Sequence, residues 1–119
     1  MKYIIIGPGN YGFTLASKLT SLGHEVIGID NEISRVNNMK DKITHAMCMD
    51  CTDTMAMQTL PLKEADVIFI AIGEDYGASI MISAFLKQYQ IKKLICRAIN
   101  SIHQTVLEAI GVKEIIFPE

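Results

Sequence analysis

The stretch that decides the fold is IIIGPGNYG, residues 4–12. Its three glycines, Gly7, Gly9 and Gly12, follow an apolar strand-like run and precede a segment with helical spacing. In a strand–turn–helix unit the first glycine permits a tight turn, the second lets the backbone approach a phosphate, and the third lets the helix pack close to the strand. Amide groups at the start of that helix then face an anion. We therefore expect this turn to hold a phosphate group.

An acidic residue stands where a nucleotide-binding turn needs one. Asp30 ends the second predicted strand, close to the 20-residue spacing that is typical of dinucleotide-binding units. A carboxylate there accepts hydrogen bonds from ribose hydroxyls and repels a 2′-phosphate, which favours NAD or a simple adenine nucleotide over NADP. The alternative is a glycine-rich turn that binds nothing, with Asp30 capping the next helix.

Apolar runs alternate with helical periods along the whole chain. The apolar runs are continuous instead of alternating, which is typical of parallel strands covered on both faces. This pattern predicts a single α/β domain with a Rossmann-type, doubly wound parallel sheet of six strands in the order 3-2-1-4-5-6 and helices on both faces. The predicted strands span residues 2–6, 25–29, 43–49, 66–72, 93–97 and 114–117, and the predicted helices span residues 10–22, 32–41, 54–60, 76–89 and 102–110.

Composition limits the classes of partner. The net charge of −2 and the pI near 5.9 give no electrostatic footprint for nucleic acid. No apolar run approaches the ~20 residues of a membrane span, and no signal peptide is visible, so we expect a cytoplasmic protein without direct membrane insertion. The sequence also offers no evident catalytic set, and we expect no enzymatic activity.

The cysteines form a C-x-x-C pair at Cys48 and Cys51, with a third cysteine at Cys96. A zinc site would need two further ligands, and the sequence supplies no second pair nearby. A redox motif would sit at the start of a helix. We favour the interpretation that Cys48 and Cys51 are buried small side chains at the end of a strand.

Further stretches carry a family pattern: GPGNYG (7–12), GHEVIGID (23–30), MDCTD (49–53), VIFIAIGED (67–75) and RAINSIHQTVLEAIGVKEIIFPE (97–119). With them the chain resembles the nucleotide-binding N-terminal lobe of the RCK/KTN family (TrkA-N type), the cytosolic regulators of potassium channels and transporters. The resemblance implies that residues 1–119 form one such lobe, with the crossover helix and second lobe of full members absent.

The resemblance also assigns roles to individual residues. It implies that Asp50 and Cys51 contact the adenine edge, that Gly73 and Glu74 face the ribose or phosphates, and that Arg97 reaches phosphates. The alternatives are a surface ion pair for Arg97 and helix capping for the neighbouring Thr52 and Asp53. The candidate binding residues are Gly7, Pro8, Gly9, Asn10, Tyr11, Gly12, Asp30, Asn31, Asp50, Cys51, Thr52, Ala71, Ile72, Gly73, Glu74 and Arg97.

Two positions refine the expected ligands. Asn10 stands where the family often has an arginine that reaches a terminal phosphate, which makes AMP, ADP or NAD(H) more plausible than ATP. Glu119 matches a family glutamate that, in some members, joins a divalent cation between subunits. Glu119 is therefore the candidate metal residue.

For function, the resemblance implies a regulatory subunit that forms homo-oligomers, from dimers to rings, at the inner face of the cell membrane through a potassium channel or transporter partner. Apolar residues beyond the needs of the core, such as Met55 and Met81, are candidates for assembly, although core packing is the alternative. Two other functions stay open. One is an NAD(H)-binding redox sensor, and the other is the cofactor domain of an NAD-dependent oxidoreductase.

Overall fold

The computed structural model describes residues 1–7 and 9–117. It contains one sheet of six parallel strands in the order β3-β2-β1-β4-β5-β6, which confirms the predicted fold class and strand order. The strands are β1 (Lys2–Ile6), β2 (Glu25–Asp30), β3 (His45–Cys48), β4 (Val67–Ile70), β5 (Leu94–Arg97) and β6 (Glu114–Ile116). The helices are α1 (Gly9–Ser21), α2 (Ile33–Met39), α3 (Thr54–Met57), α4 (Tyr76–Leu86) and α5 (Ser101–Ala109).

The hydrophobic core lies on both faces of the sheet. Ile4 and Ile6 of β1 belong to one buried cluster, which also contains apolar residues of α3, α4 and α5. Ile5 belongs to a second cluster, which also contains residues of α1 and α2. All four residues of β4 are buried. The continuous apolar runs in the sequence therefore reflect a sheet with helices on both sides.

Helix α2 differs from the prediction at its start. The helical spacing of Ile33, Val36 and Met39 predicts that all three lie on the inner face of this helix. Val36 and Met39 are buried as predicted, but Ile33 is 60% exposed, so its predicted place on the inner face is wrong. Positions three apart drift by roughly 60° around a helix, because each residue advances about 100°. Ile33 therefore lies at the side of the stripe that Val36 and Met39 form.

Two further differences lie at the edge of the sheet. Strand β3 is shorter than predicted, because the Ile43 N–H donates to the Met39 carbonyl and so extends the end of α2. Cys48 closes this edge strand and is exposed, which contradicts the expected burial of the C-x-x-C pair at that position. Cys51 is buried, as expected, and Cys96 is buried as well.

The topology positions a crevice at the carboxyl ends of the strands. Strand β1 leads into α1 on one face of the sheet. Strand β4, which lies beside β1, leads into α4 on the opposite face. The chain therefore diverges between β1 and β4, and this is the point where open α/β sheets bind ligands. Within the described residues, no helix is both long and apolar enough to cross a lipid bilayer.

Candidate functional site

A cavity of about 680 Å³ opens at this switch point. The predicted binding residues that line it are Gly7, Gly9, Asn10, Tyr11, Asp30, Asn31, Asp50, Cys51, Thr52, Ala71, Ile72, Gly73, Glu74 and Arg97. Gly12 is not among the lining residues; it is buried in α1. Pro8 and Glu119 lie outside the described residues. The fold thus brings residues from five strand ends to one cavity.

The glycine turn joins β1 to α1 at the floor of this cavity. Gly7 has a φ of 63°, and a side chain there would overlap Ile72 of the neighbouring strand end. The Gly7 N–H donates to the Ile29 carbonyl at 2.7 Å, which ties the turn to β2. Helix α1 begins at Gly9, and both Gly9 and Asn10 line the cavity. The positive end of the helix dipole therefore lies where an anion could enter.

Asp30 is the buried acid of the site. Asp30 is 3% exposed, and its Oδ1 accepts a hydrogen bond from the Glu32 N–H at 3.0 Å. Its Oδ2 is buried and makes no hydrogen bond among the described residues, where the nearest cation is the Arg35 guanidinium at 3.6 Å. Buried polar atoms are nearly always hydrogen-bonded, so an acceptor without a hydrogen bond at a cavity wall indicates a place for a donor from a ligand.

Arg35 of α2 lies across the mouth of the cavity and was not predicted from the sequence. Its guanidinium lies 3.6 Å from Asp30, 3.5 Å from Glu32 and 3.6 Å from Glu74. The side chain is 41% exposed, so these pairs contribute little to stability. The available signal in the sequence was a basic residue in the first turn of the helix that follows Asp30.

Asp50, Cys51 and Thr52 form the wall beyond β3. Asp50 accepts hydrogen bonds from the Thr52 hydroxyl at 2.6 Å and the Thr52 N–H at 2.9 Å, and these bonds lower the pKa of its carboxyl. Burial, followed by the charges of Asp50 and Asp30, raises the pKa of the Cys51 thiol to about 12, so Cys51 is a neutral thiol at neutral pH. Asp53, the next residue after this wall, caps α3 by accepting hydrogen bonds from the N–H groups of Met55 and Ala56.

Arg97 at the end of β5 forms the opposite wall. Its guanidinium carbon lies 5.5 Å from the centre of the Tyr11 ring, and a side chain at Gly73 would overlap its Nη1 atom. Its Nε is buried and unpartnered among the described residues, which also contain no salt bridge to this side chain. The alternative of a surface ion pair is therefore not observed in this part of the chain.

The charges around the cavity are mainly negative. The described lining residues include two guanidinium groups, on Arg35 and Arg97, and more carboxylates than guanidiniums. The lining residues that sequence reasoning did not select are Ile6, Ile29, Glu32, Arg35, Met49, Asp75, Ala78 and Ile82. Asp75 also caps α4, where it accepts from the Ala78 N–H at 3.0 Å.

The three histidines lie away from this cavity. The His24 ring packs edge-on against Tyr3, and His45 is exposed on β3. His103 is 2% exposed and hydrogen-bonded to Ser79. Across residues 1–7 and 9–117, no three His, Cys, Asp or Glu side chains come together in a way that could hold a metal ion.

Comparisons with known proteins place this geometry in a family. A family model of the TrkA-N domain matches residues 3–118. Ktr system potassium uptake protein C of Bacillus subtilis is 32% identical over 118 residues, which cover 99% of this chain and 53% of that protein. The chain spans about half the length of the curated relatives it matches.

Solved structures share the fold. The NAD(P)-binding domain of an exopolyphosphatase-related protein from Archaeoglobus fulgidus superimposes with a TM-score of 0.86 at 23% identity, covering 98% of this chain and 86% of that one. The AMP-bound Kef C-terminal domain of Shewanella denitrificans gives 0.83 at 19% identity, covering 98% and 71%. Together with the family match over nearly the whole chain, the glycine turn and the strand order lead to one conclusion: this chain belongs to the TrkA-N domain family.

Proposed function

We propose that this chain is an adenine-nucleotide-binding regulatory subunit that gates a membrane potassium channel or transporter. The ligand is AMP, ADP or NAD(H) in preference to ATP, and it binds in the cavity between Asp30 and Arg97. Binding acts through a conformational change in an oligomer of this chain at the cytoplasmic face of the membrane. The family and the potassium uptake relatives support this role.

One observation carries the ligand class. Among the described residues, the two buried side-chain polar atoms without a hydrogen-bond partner are Asp30 Oδ2 and Arg97 Nε, and both residues line the same cavity. The first is an acceptor that has the Arg35 guanidinium at 3.6 Å but no donor within hydrogen-bond distance, and a ribose hydroxyl would supply one. The second is a donor that needs an acceptor such as a phosphate oxygen. A nucleotide supplies both groups in one molecule.

The charge of the lining favours a nucleotide with few phosphates. Asp50, Glu74 and the other carboxylates repel each added negative charge, and the first turn of α1 offers the neutral Asn10 as its polar side chain. A cationic group to hold a terminal phosphate is therefore limited to Arg35 and Arg97 within the described lining. We therefore expect the cavity to bind AMP, ADP and NAD(H) more tightly than ATP.

A second candidate function is an NAD(H)-binding redox sensor, with the cofactor domain of an oxidoreductase as its enzymatic variant. The cavity favours it because it continues from Asp30, on one side of the switch point, to Gly73 and Arg97 on the other. Its volume of about 680 Å³ lies within the range of small-molecule sites. We infer binding without catalysis, since the TrkA-N family and the potassium uptake relatives support a regulatory role.

Regulation requires that the nucleotide bind two states of the assembly with different affinities. Exposed apolar side chains on α3, α4 and α5 support assembly with further copies: Met55 is 78% exposed, Met81 is 58% exposed and Ile102 is 75% exposed. Met57, by contrast, is fully buried in the core. We also propose that Glu119 joins a divalent cation between subunits.

Calorimetric titration with AMP, ADP, ATP, NAD and NADH tests the ligand. We expect AMP, ADP or NAD(H) to bind and ATP to bind more weakly. The Asp30→Asn variant keeps an oxygen for the Glu32 N–H but places a second donor toward the ribose, so we expect at least about a tenfold loss of affinity, as for a lost hydrogen bond to a charged group.

Asp41→Asn provides the matched control, since Asp41 is exposed and outside the cavity lining. It makes the same chemical change and should bind like the parent chain. Equal affinity of Asp30→Asn and the parent chain would overturn the proposed site. Strong preference for NADH over AMP and ADP would instead favour the redox sensor.

A further inference from the structure

We propose that His103 is a positioning residue for the nucleotide site, and that its protonation weakens nucleotide binding. In its neutral form the imidazole holds the turn after Arg97 against helix α4. This inference rests on the proposed function, because its consequence is read out as nucleotide affinity.

The hydrogen bonds of His103 define its tautomer. The Ile99 N–H donates to Nδ1 at 3.1 Å, so Nδ1 acts as an acceptor and carries no proton. The neutral ring then carries its proton on Nε2, which lies 3.0 Å from the Ser79 hydroxyl oxygen. Both Ser79 and His103 are buried. The neutral imidazole therefore joins the turn after β5 to α4.

A second buried contact holds the other side of Arg97. The Ser83 hydroxyl of α4 donates to the Ser79 carbonyl at 2.7 Å and lies 3.3 Å from the Cys96 sulfur. Cys96 immediately precedes Arg97, and Ile99 follows it by two residues. Arg97 is thus bracketed by two polar contacts that both lead to α4.

This bracket acts on the cavity from both of its elements. Arg97 lines the cavity, and its unpartnered Nε is the donor that we assign to the phosphate. Asp75 and Ala78, in the N-terminal part of α4, line the cavity as well. A movement of the turn relative to α4 would therefore displace the Arg97 donor from the ligand.

Protonation removes one of these contacts. An imidazolium carries N–H groups on both nitrogens, so Nδ1 would face the Ile99 N–H donor to donor. Within the described residues, no carboxylate forms an ion pair with the ring to compensate the new charge. Burial accordingly lowers the pKa of His103.

The titratable groups on the elements packed against His103 are few. On α4 they are the Asp75 carboxylate, which caps the helix, and the Tyr76 phenol, whose ring centre lies 5.2 Å from the imidazole and whose hydroxyl contacts Asn100. On β5 they are Arg97 and the Cys96 thiol, whose pKa burial raises to about 11. None of these groups supplies a negative charge in direct contact with the ring.

The first test compares pH profiles of nucleotide affinity. AMP and NAD are titrated between pH 5.5 and pH 8 into the parent chain, into His103→Asn and into the control His45→Asn on the exposed edge strand. Asparagine can accept from the Ile99 N–H through its oxygen but does not titrate. We expect the parent chain and His45→Asn to lose about three- to tenfold more affinity on acidification than His103→Asn, since one pKa unit of coupling corresponds to tenfold.

The second measurement needs no variant. NMR of the imidazole gives the pKa of His103 in the parent chain with and without saturating AMP or NAD. Because linkage is reciprocal, the nucleotide should lower that pKa: it should raise the acid dissociation constant of His103 by the same factor by which protonation weakens binding. The Arg97 Nε–H resonance should follow the same titration.

Coincident pH profiles for the parent chain and His103→Asn, or a His103 pKa that ignores the bound nucleotide, would overturn this inference and leave the nucleotide site intact. Absence of binding by AMP and NAD at every pH would overturn the proposed function together with it.

Discussion

Gly73 and Arg97 lie so close that any side chain at Gly73 would overlap the guanidinium. The guanidinium is the end of a flexible side chain, so it would move and the backbone would not. We therefore expect Gly73→Ala to leave the thermal midpoint nearly unchanged. We expect its affinity for AMP to fall by about tenfold, as for the loss of a hydrogen bond to a charged group. Calorimetry and thermal unfolding of the same sample measure both quantities.

Gly77→Ala is the control for this change. Gly77 lies in the first turn of α4, where an added methyl group meets Asp75 only at an ordinary contact distance. Alanine is the better helix former, so we expect a gain of about 0.5–1 kcal/mol in the free energy of unfolding and unchanged AMP affinity. If Gly73→Ala bound AMP as tightly as the parent chain, Arg97 would not contact the phosphate.

At the level of single residues, two kinds of signal pointed to the site: the glycine motif with its spacing to Asp30, and the family resemblance, which supplied the positions at the ends of the third, fourth and fifth strands. Gly7 is required by a positive φ, and the position of Asp30 follows from the length of one strand–helix–strand unit. Arg35 and Asp75 were missed because their place at the cavity depends on the packing of α2 and α4. No local pattern in the sequence reports that packing.

Helix α5 depends on a single capping side chain. The Asn100 side-chain oxygen, Oδ1, accepts a hydrogen bond from the His103 backbone N–H at 2.9 Å, and the side-chain NH₂ group of Asn100 contacts the Tyr76 hydroxyl. We expect Asn100→Ala to lower the free energy of unfolding by about 1 kcal/mol, the usual cost of losing an N-cap. Asn100→Asp keeps the cap acceptor and should retain most of the stability. Urea unfolding of the three chains checks the order, and equal losses for alanine and aspartate would contradict a capping role.

The elements themselves were easier to predict than their ends. Continuous apolar runs such as VIFI (67–70) become buried strands, because the parallel sheet places helices on both of their faces. The ends depend on which hydrogen bonds close the last turn, and the apolar pattern does not specify these bonds. Residues 88 and 89 close the end of α4 with bonds to carbonyls three positions back, although the predicted helix ran through Tyr89.

At the scale of the whole molecule, strand order could be predicted because few topologies satisfy right-handed crossovers between parallel strands. The exposed Cys48 and Ile33 were not predicted, because a sequence pattern does not distinguish an edge strand or the side of a short helix from the core. The two buried polar atoms of Asp30 and Arg97 that lack a hydrogen bond likewise required the folded chain, since they come from opposite sides of the switch point.

The stability of the whole chain should fall in two steps as the pH decreases. Burial lowers the pKa of His103, so the unfolded chain takes up a proton near pH 6.5 while the folded chain does not, and stability declines below that pH. Hydrogen bonds from Lys2 N–H to Asp66 and from Thr52 to Asp50 lower the pKa of these carboxyls, so their contribution is complete above about pH 4 and is lost below it. Urea unfolding from pH 8 to pH 3 measures the profile. Asp66→Asn, which keeps an acceptor for Lys2 without titrating, should shrink the lower step alone, whereas Asp41→Asn serves as the exposed control; a single step that Asp66→Asn leaves unchanged would contradict this account.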